Sequence, residues 1–389
     1  MLESIAPFGN HLPIRIRFGE GVVRELPGVC AAEGWRHLYL LVDPGVRDLP
    51  SFTETWVELR RQADAVTVAR PEAGEPTAES IDAQGEALRE SGAQVIVAVG
   101  GGSVMDTSKG ARVVAGQGGP MSRFAGGATP LELPAVSLVT VPTTAGSGSE
   151  VSGGIIFYDA AKGLKMGAAG PTNRAQYCLV DPELTYGLPR LPTLYGGIDA
   201  LAQALAGVVA TVHTPIGDAV GLEATRMAAA ALPLVARDGT DRGARSHMSC
   251  AALMAGLTMN ISEVSSEHFL GHAIGAMFKV PHGLTIGLML AEAMEHDRAD
   301  VPERFERVAD ALGVPADGTR DGSRAVRGIR RLLAELGLPT LRSVGVTEDH
   351  VEALTDAALA GWWPVSPTPW TRDDVAAAYQ QALALESRG

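Results

Sequence analysis

Residues 93–110 (AQVIVAVGGGSVMDTSKG) constrain the fold more than any other stretch. An almost unbroken apolar run ends in three glycines and passes at once into helix-forming residues. Such a run is a strand covered on both faces, as in a parallel sheet, turning directly into a helix. Residues 38–43 (LYLLVD) and 137–141 (SLVTV) repeat the pattern, ending in Pro44-Gly45 and in Pro142-Thr143-Thr144. Between the runs, residues 77–91 place Ile81, Gly85 and Leu88 on one helical face. Strand–helix alternation of this kind predicts an α/β, Rossmann-like unit with helices on both faces of a parallel sheet. Residues 154–166 read as a hairpin turning at 159–163.

Beyond Leu188 the texture changes. Residues 197–211, 217–236, 245–259 and 264–277 are rich in Ala, Leu and Met, which are strong helix formers. The expected division is an α/β unit over 1–187 and an all-α unit over 188–389, with 316–323 an exposed loop between helices. A length of 389 residues accommodates both. The net charge of −13 argues against a nucleic-acid partner. Three distant cysteines without a CxxC pair argue for a reducing compartment, so a cytoplasmic location is expected. Residues 1–17 lack a secretory pattern, and no uninterrupted apolar run reaches the ~18 residues of a membrane span.

The glycine loop at 100–110 has the chemistry of a phosphate cradle. Gly100, Gly101 and Gly102 permit close backbone approach, and the helix start offers free N–H groups to an anion. It is neither GxGxxG nor a Walker A loop, and a tight turn needing glycine for steric reasons explains it equally well when taken alone. The small and hydroxylated residues of TTAGSGSE (143–150) follow the next strand and line the same sheet edge, where open α/β sheets bind ligands. Asp43 ends an earlier strand. Its carboxylate suits a ribose 2′-hydroxyl and repels a 2′-phosphate, favouring NAD over NADP, although an Asp before Pro also initiates turns.

Three of nine histidines fall within residues 268–282. His268 and His272 share a helix face at i, i+4, and His282 follows in Pro281-His282-Gly283. Asp199 and Gln203 are likewise at i, i+4 in GGIDALAQ. A carboxylate with imidazoles is a ligand set for Fe²⁺ or Zn²⁺.

The chain resembles the iron-containing (group III) alcohol dehydrogenases from FGEGVVRELP (18–27) onward. GGGSVMDTSK, VPTTAGSGSEVS, DPELT, GGIDAL and HxxxHxxGxxxxxPHG stand in family order and spacing. The resemblance implies a dehydroquinate synthase-like superfold with NAD in the cleft between the two units. It implies NAD contacts from Asp43, Gly100, Gly101, Gly102, Ser103, Asp106, Thr143, Thr144, Ser147, Lys165 and Leu184. Asp199, His268 and His282 match three metal ligands. The family's fourth, a histidine, is Gln203 here, and a further family acid is Ala206. His272 matches the histidine near the nicotinamide and is the expected proton-relay residue. The implied activity is oxidation of a small alcohol or reduction of an aldehyde, in a homodimer without membrane or nucleic-acid partners. The Gln203 departure keeps open a metal-independent reductase of an anionic carbonyl, like the maleylacetate reductases. A cyclase of the same superfold would need a concentration of Lys and Arg that residues 196–283 lack. Met259, Phe269, Trp362 and Trp363 fit core packing better than a substrate pocket.

Overall fold

The computed structural model describes residues 6–361 and 365–386. Its strands are β1 (Arg15–Phe18), β2 (His37–Val42), β3 (Ala65–Ala69), β4 (Val95–Gly100), β5 (Ser137–Pro142), β6 (Gly154–Asp159), β7 (Leu164–Ala169) and β8 (Tyr177–Val180). Six of them form a sheet in the order β1-β8-β5-β4-β2-β3, every neighbour parallel, and β6 and β7 pair as the expected antiparallel hairpin.

Period-two alternation divides the central strands between two cores. Leu38, Leu40, Val42, Val95, Val97, Val99, Val139 and Val141 face the side covered by α1 (Leu26–Ala32) and α3 (Pro50–Gln62), beyond the short α2 (Pro44–Arg47). Tyr39, Leu41, Ile96, Ala98 and Leu138 face α4 (Ala78–Ser91) and α5 (Gly102–Gln117). Both faces are dry, which is why these strands read as continuous apolar runs. The register aligns their carboxyl ends. Asp43 N–H donates to the Val99 carbonyl (2.9 Å) and Thr143 N–H to the Gly100 carbonyl (3.0 Å). The loops after β2, β4 and β5 therefore emerge side by side.

The remaining described chain is helical: α6 (Arg190–Val209), α7 (Pro215–Arg237), α8 (Arg242–Ser262), α9 (Ser266–Phe278), α10 (His282–Asp297), α11 (Pro302–Ala311), α12 (Ser323–Leu336), α13 (Val351–Ala360) and α14 (Arg372–Glu386). One core gathers residues of α6, α7, α8, α10, α11 and α12, and a second those of α9, α10, α13 and α14. α7 alone among the described helices has the length and apolar composition to cross a bilayer. Here it packs along α6 and α8 and carries Asp218, Glu223 and Arg226.

Glycine contacts join the sheet edge to the helices. A Cβ on Gly146 would stand 2.8 Å from Gly196 Cα of α6. One on Gly148, which adopts φ +62°, would stand 2.7 Å from Gly256 N of α8. Asn260 of α8 donates to the Val151 carbonyl at 2.6 Å. The 143–150 loop is thus seated directly on the helix that carries Asp199.

Candidate active site between the sheet edge and the helices

At the sheet edge the glycines meet the hydroxylated loop. A Cβ on Gly102 would come within 2.7 Å of Ser147 Oγ, and one on Gly101 within 3.3 Å of Thr144 Cγ2. Gly100 is buried where a side chain would strike Val104. Gly102 and Ser103 open α5, so their N–H groups fall outside its hydrogen-bond ladder. The structure therefore brings Gly101 and Gly102 against Thr144 and Ser147 at one sheet edge, with Ser103 next along α5 and Thr143 buried.

Asp43, at the adjoining strand end, caps α2 by accepting from Gly45 N–H through Oδ1 (2.8 Å), so its turn-initiating role is present at that edge. Leu184 is buried with Val42, Val46 and Val99 beneath it. Asp106 is engaged by protein: Ser149 Oγ–H donates to Oδ1 and Ile156 N–H donates to Oδ2 (3.0 Å). It shapes the cradle from below, together with a residue that sequence reasoning missed. Lys109 is buried, pairs with Asp106 (2.9 Å), and donates to Ser149 Oγ (2.6 Å), the Ser149 carbonyl (3.2 Å) and the Gly154 carbonyl. It fastens the 143–150 loop and the hairpin to α5. Its signal in the sequence was a lysine one turn after Asp106 on a helix otherwise buried.

On the helical side, Asp199 and Gln203 sit one turn apart on α6, both about 3% exposed. His268 and His272 project from α9, and His282 opens α10. Asp199 Oδ1 stands 3.6 Å from His268 Nε2 and 3.4 Å from His282 Nε2. These separations are long for hydrogen bonds. They match the roughly 3.3 Å expected between ligands each ~2.0–2.1 Å from a tetrahedral ion. The three ligand atoms lie within 4.8 Å of one another. Asp199 Oδ1, Gln203 Oε1 and His282 Nδ1 are buried without a hydrogen-bond partner. Buried polar atoms are nearly always paired, so such orphans fit a group the chain alone does not supply.

Glu267, also unforeseen, completes the arrangement. It accepts from His268 Nδ1 at 2.8 Å, which leaves Nε2 free to ligate. An acid immediately before a candidate ligand histidine was its only signal. Burial works against the charged form of His268, but the Asp199 and Glu267 carboxylates outweigh it and lift the imidazole to about 9. Burial also opposes ionisation of Asp199, yet His282 and His268 hold its carboxyl well below the usual range.

His272 differs. Its ring lies 5.2 Å from that of His282 and 5.9 Å from that of His268, outside the Asp199–His268–His282 group. Burial, then the positive charge of Lys165, keeps it neutral well below the ordinary histidine range. The charge of Lys165, on β7, acts on both His272 and His282, and Lys165 is itself paired with Glu75. Phe269 is buried and Met259 partly so, in keeping with packing roles, while Trp362 and Trp363 lie outside the described residues.

Comparisons with known proteins identify the family of the chain as a whole. The model for "Iron-containing alcohol dehydrogenase" matches residues 13–182, and that for "Fe-containing alcohol dehydrogenase family, C-terminal" matches 193–383. The chain belongs to the iron-containing alcohol dehydrogenase family. It is 32% identical over 364 residues to choline dehydrogenase of Bacillus subtilis, covering 92% of this chain and 90% of that one. It is 27% identical to NAD-dependent methanol dehydrogenase of Bacillus methanolicus, covering 94% and 97%. The crystal structure of a 1,3-propanediol oxidoreductase superposes with a TM-score of 0.90 at 26% identity, covering 98% of this chain and 100% of that one. This family member is an oxidoreductase acting on CH–OH groups. That outcome favours the alcohol dehydrogenase reading over the metal-independent carbonyl reductase.

Proposed function

We propose that the chain is an NAD(H)-dependent dehydrogenase of small alcohols, working in the reverse direction as an aldehyde reductase. It divides at 187/188 into a dinucleotide unit and a metal unit. The observation that carries this reading is the Gly146–Gly196 contact. It seats the glycine cradle's partner loop on the helix that bears Asp199, three residues further on. When bound, the dinucleotide supplies the hydride acceptor and a divalent Fe²⁺ or Zn²⁺ supplies a Lewis acid.

Gly101, Gly102 and Ser103 receive the pyrophosphate on backbone N–H groups, with Gly100 giving the tight turn. Thr143, Thr144 and Ser147 hydrogen-bond phosphate, ribose or carboxamide groups. Asp43 takes the adenosine ribose hydroxyls, Leu184 supports the adenosine side, and Asp106 holds the cradle's shape. Lys165 contacts the nicotinamide ribose. Asp199, His268 and His282 hold the cation. Gln203 adds an amide oxygen, a weaker donor than imidazole and a harder one. His272, neutral and unligated, accepts the alcohol proton during oxidation and returns it during reduction. The name of the Bacillus methanolicus relative supports the choice of NAD. The outer edge of β1, unpaired among the described residues, supports a homodimer. A cytoplasmic location fits the free cysteines.

Metal analysis of purified protein, with NADH and NADPH oxidation measured over small aldehydes and keto acids, tests the reading. Expected are about one divalent ion per chain, NADH preference and aldehyde reduction abolished by chelation and restored by metal. Full activity in a chelated D199A/H268A double variant would refute it.

A further inference from the structure

α9 begins at a buried carboxylate that the chemistry above does not use. Asp297, the last residue of α10, is 2% exposed. Four side chains from two other segments donate to it. Ser265 Oγ–H (3.1 Å) and Ser266 Oγ–H (2.5 Å) come from the start of α9. Ser366 Oγ–H (2.8 Å) and Trp370 Nε1–H (2.9 Å) come from the segment before α14. Thr368 donates to the Asp297 backbone carbonyl (3.1 Å). The neighbouring His296 lies against the Trp370 ring, 3.9 Å between centroids, and contacts the Pro369 carbonyl through Nε2 at 3.0 Å. Residues 366–370 are thereby fixed to the end of α10.

From Asp297 a continuous path of hydrogen bonds leads to the ligand set. Ser265, held by its hydroxyl, donates its backbone N–H to Glu267 Oε1 (3.3 Å). The same Glu267 oxygen accepts from His268 Nδ1. His268 N–H donates to the Ser265 carbonyl (3.3 Å), closing the turn. His268 Nε2 then faces Asp199. Ser265 and Ser266 do not cap α9 in the ordinary way, since no side-chain cap bond is made there. Their hydroxyls are turned to Asp297 instead. A helix start that gives up its own cap to a distant carboxylate is oriented by that carboxylate.

We propose that Asp297 is a positioning residue for the metal centre: with Trp370 and Ser366 it fixes the first turn of α9, and so the angle at which Glu267 presents His268 to the cation. This rests on the metal reading above. It extends that reading to the segment at 366–370, whose contacts with α10 then govern cation affinity from the far side of α9.

The test uses the full-length chain, stripped with chelator and titrated with Co²⁺ alone, following the visible absorption that reports ligand geometry. NADH binding and thermal melting are measured in parallel. In D297A, Co²⁺ affinity should fall about 10-fold with an altered spectrum, the low end of the range for residues that touch a ligand directly, because Asp297 acts through Ser265 and Glu267. NADH affinity should stay within about twofold, because the cradle lies on the sheet edge. D297N keeps one acceptor oxygen and should fall in between. S266A removes one donor and serves if D297A does not fold, with a loss of several-fold expected. A folded D297A, or failing that S266A, with wild-type Co²⁺ affinity and spectrum overturns the positioning role. Wild-type protein that takes up no Co²⁺ refutes the metal reading itself, and with it this proposal, so the two failures are told apart by the wild-type arm.

Discussion

Gly283 lies so close to Tyr195 that a Cβ on it would collide with the Tyr195 carbonyl, 2.6 Å from its carbon. The same Cβ would stand 3.3 Å from Asp199 Cβ. α10 therefore crosses α6 at a spacing that only glycine permits, and His282, one residue earlier, is delivered to Asp199 by that crossing. Gly271 does the same for α9 against α10, where a Cβ would meet the Thr285 backbone at 3.0 Å.

Gly283→Ala should consequently act on the proposed metal centre without touching Asp199, His268 or His282. Backbone contacts cannot swing aside, so α10 must retreat and carry His282 with it. The expected result is a stability loss of about 1–3 kcal/mol and a Zn²⁺ or Co²⁺ affinity at least tenfold lower. Urea melts and metal titration check both. An alanine variant that binds metal like the parent would show that the crossing does not set the ligand geometry.

His272→Ala should separate chemistry from binding. The ring is outside the Asp199–His268–His282 group, and burial and Lys165 keep it in the neutral form that accepts a proton. Loss of a general acid–base group typically costs 10²- to 10⁴-fold. Turnover should fall in that range, while NADH and metal affinities change little. Steady-state kinetics beside fluorescence titration of NADH decide it, and unchanged turnover removes the proton-relay role.

Asp43 joins two jobs, a helix cap through Oδ1 and a carboxylate at the sheet edge. Asp43→Ser retains a capping oxygen but removes the charge. Preference for NADH over NADPH, taken as a ratio of kcat/KM, should relax by about tenfold, equivalent to ~1.4 kcal/mol. Repulsion between like charges ~4 Å apart near a surface is ample to supply that. A ratio that does not move would reduce Asp43 to a cap.

The sequence showed β2, β4 and β5 because covering on both faces demands unbroken apolar runs. β1 (RIRF) and β3 (AVTVA) escaped it: they are the sheet's edges, largely exposed, and edge strands need no such pattern. β8 is fully buried but only four residues long, too short for periodicity to speak. At the site, the i, i+4 spacings of Asp199 with Gln203 and of His268 with His272 were legible, because one helix face suffices to define them. Glu267, Lys109 and Asp297 were not. Glu267 touches only its sequence neighbours, and an acid beside a histidine is too common a pair to mark a site. Lys109 and Asp297 matter through partners brought together by tertiary packing: Lys109 with Ser149 and Gly154, and Asp297 with Ser366 and Trp370 across some seventy residues. Spacing along the chain carries no trace of such contacts.

Glu150 closes the cradle loop and makes stability depend on pH. It is 5% exposed, and burial raises its carboxyl from 4.5 to about 7, with the Lys109 charge opposing only in part. The folded chain therefore holds a proton that the unfolded chain has released. The Glu150 contribution to stability should fall as pH rises from about 4.5 to about 7 and level off above, by at most ~3.5 kcal/mol at about 1.4 kcal/mol per unit. Asp297, raised by burial to about 6, acts with the same sign and levels off about a unit earlier. Between pH 6 and 7.5 the shifted histidines of the site also change protonation on unfolding, so Glu150's part is the difference between the parent and Glu150→Gln. Glu150→Gln keeps the shape and removes this one titration, so its stability should fall less steeply than the parent's between pH 4.5 and 7, and the variant should gain on the parent as pH rises to 8. Urea midpoints at half-unit steps measure it. A parental slope persisting in Glu150→Gln would assign the pH dependence to another group.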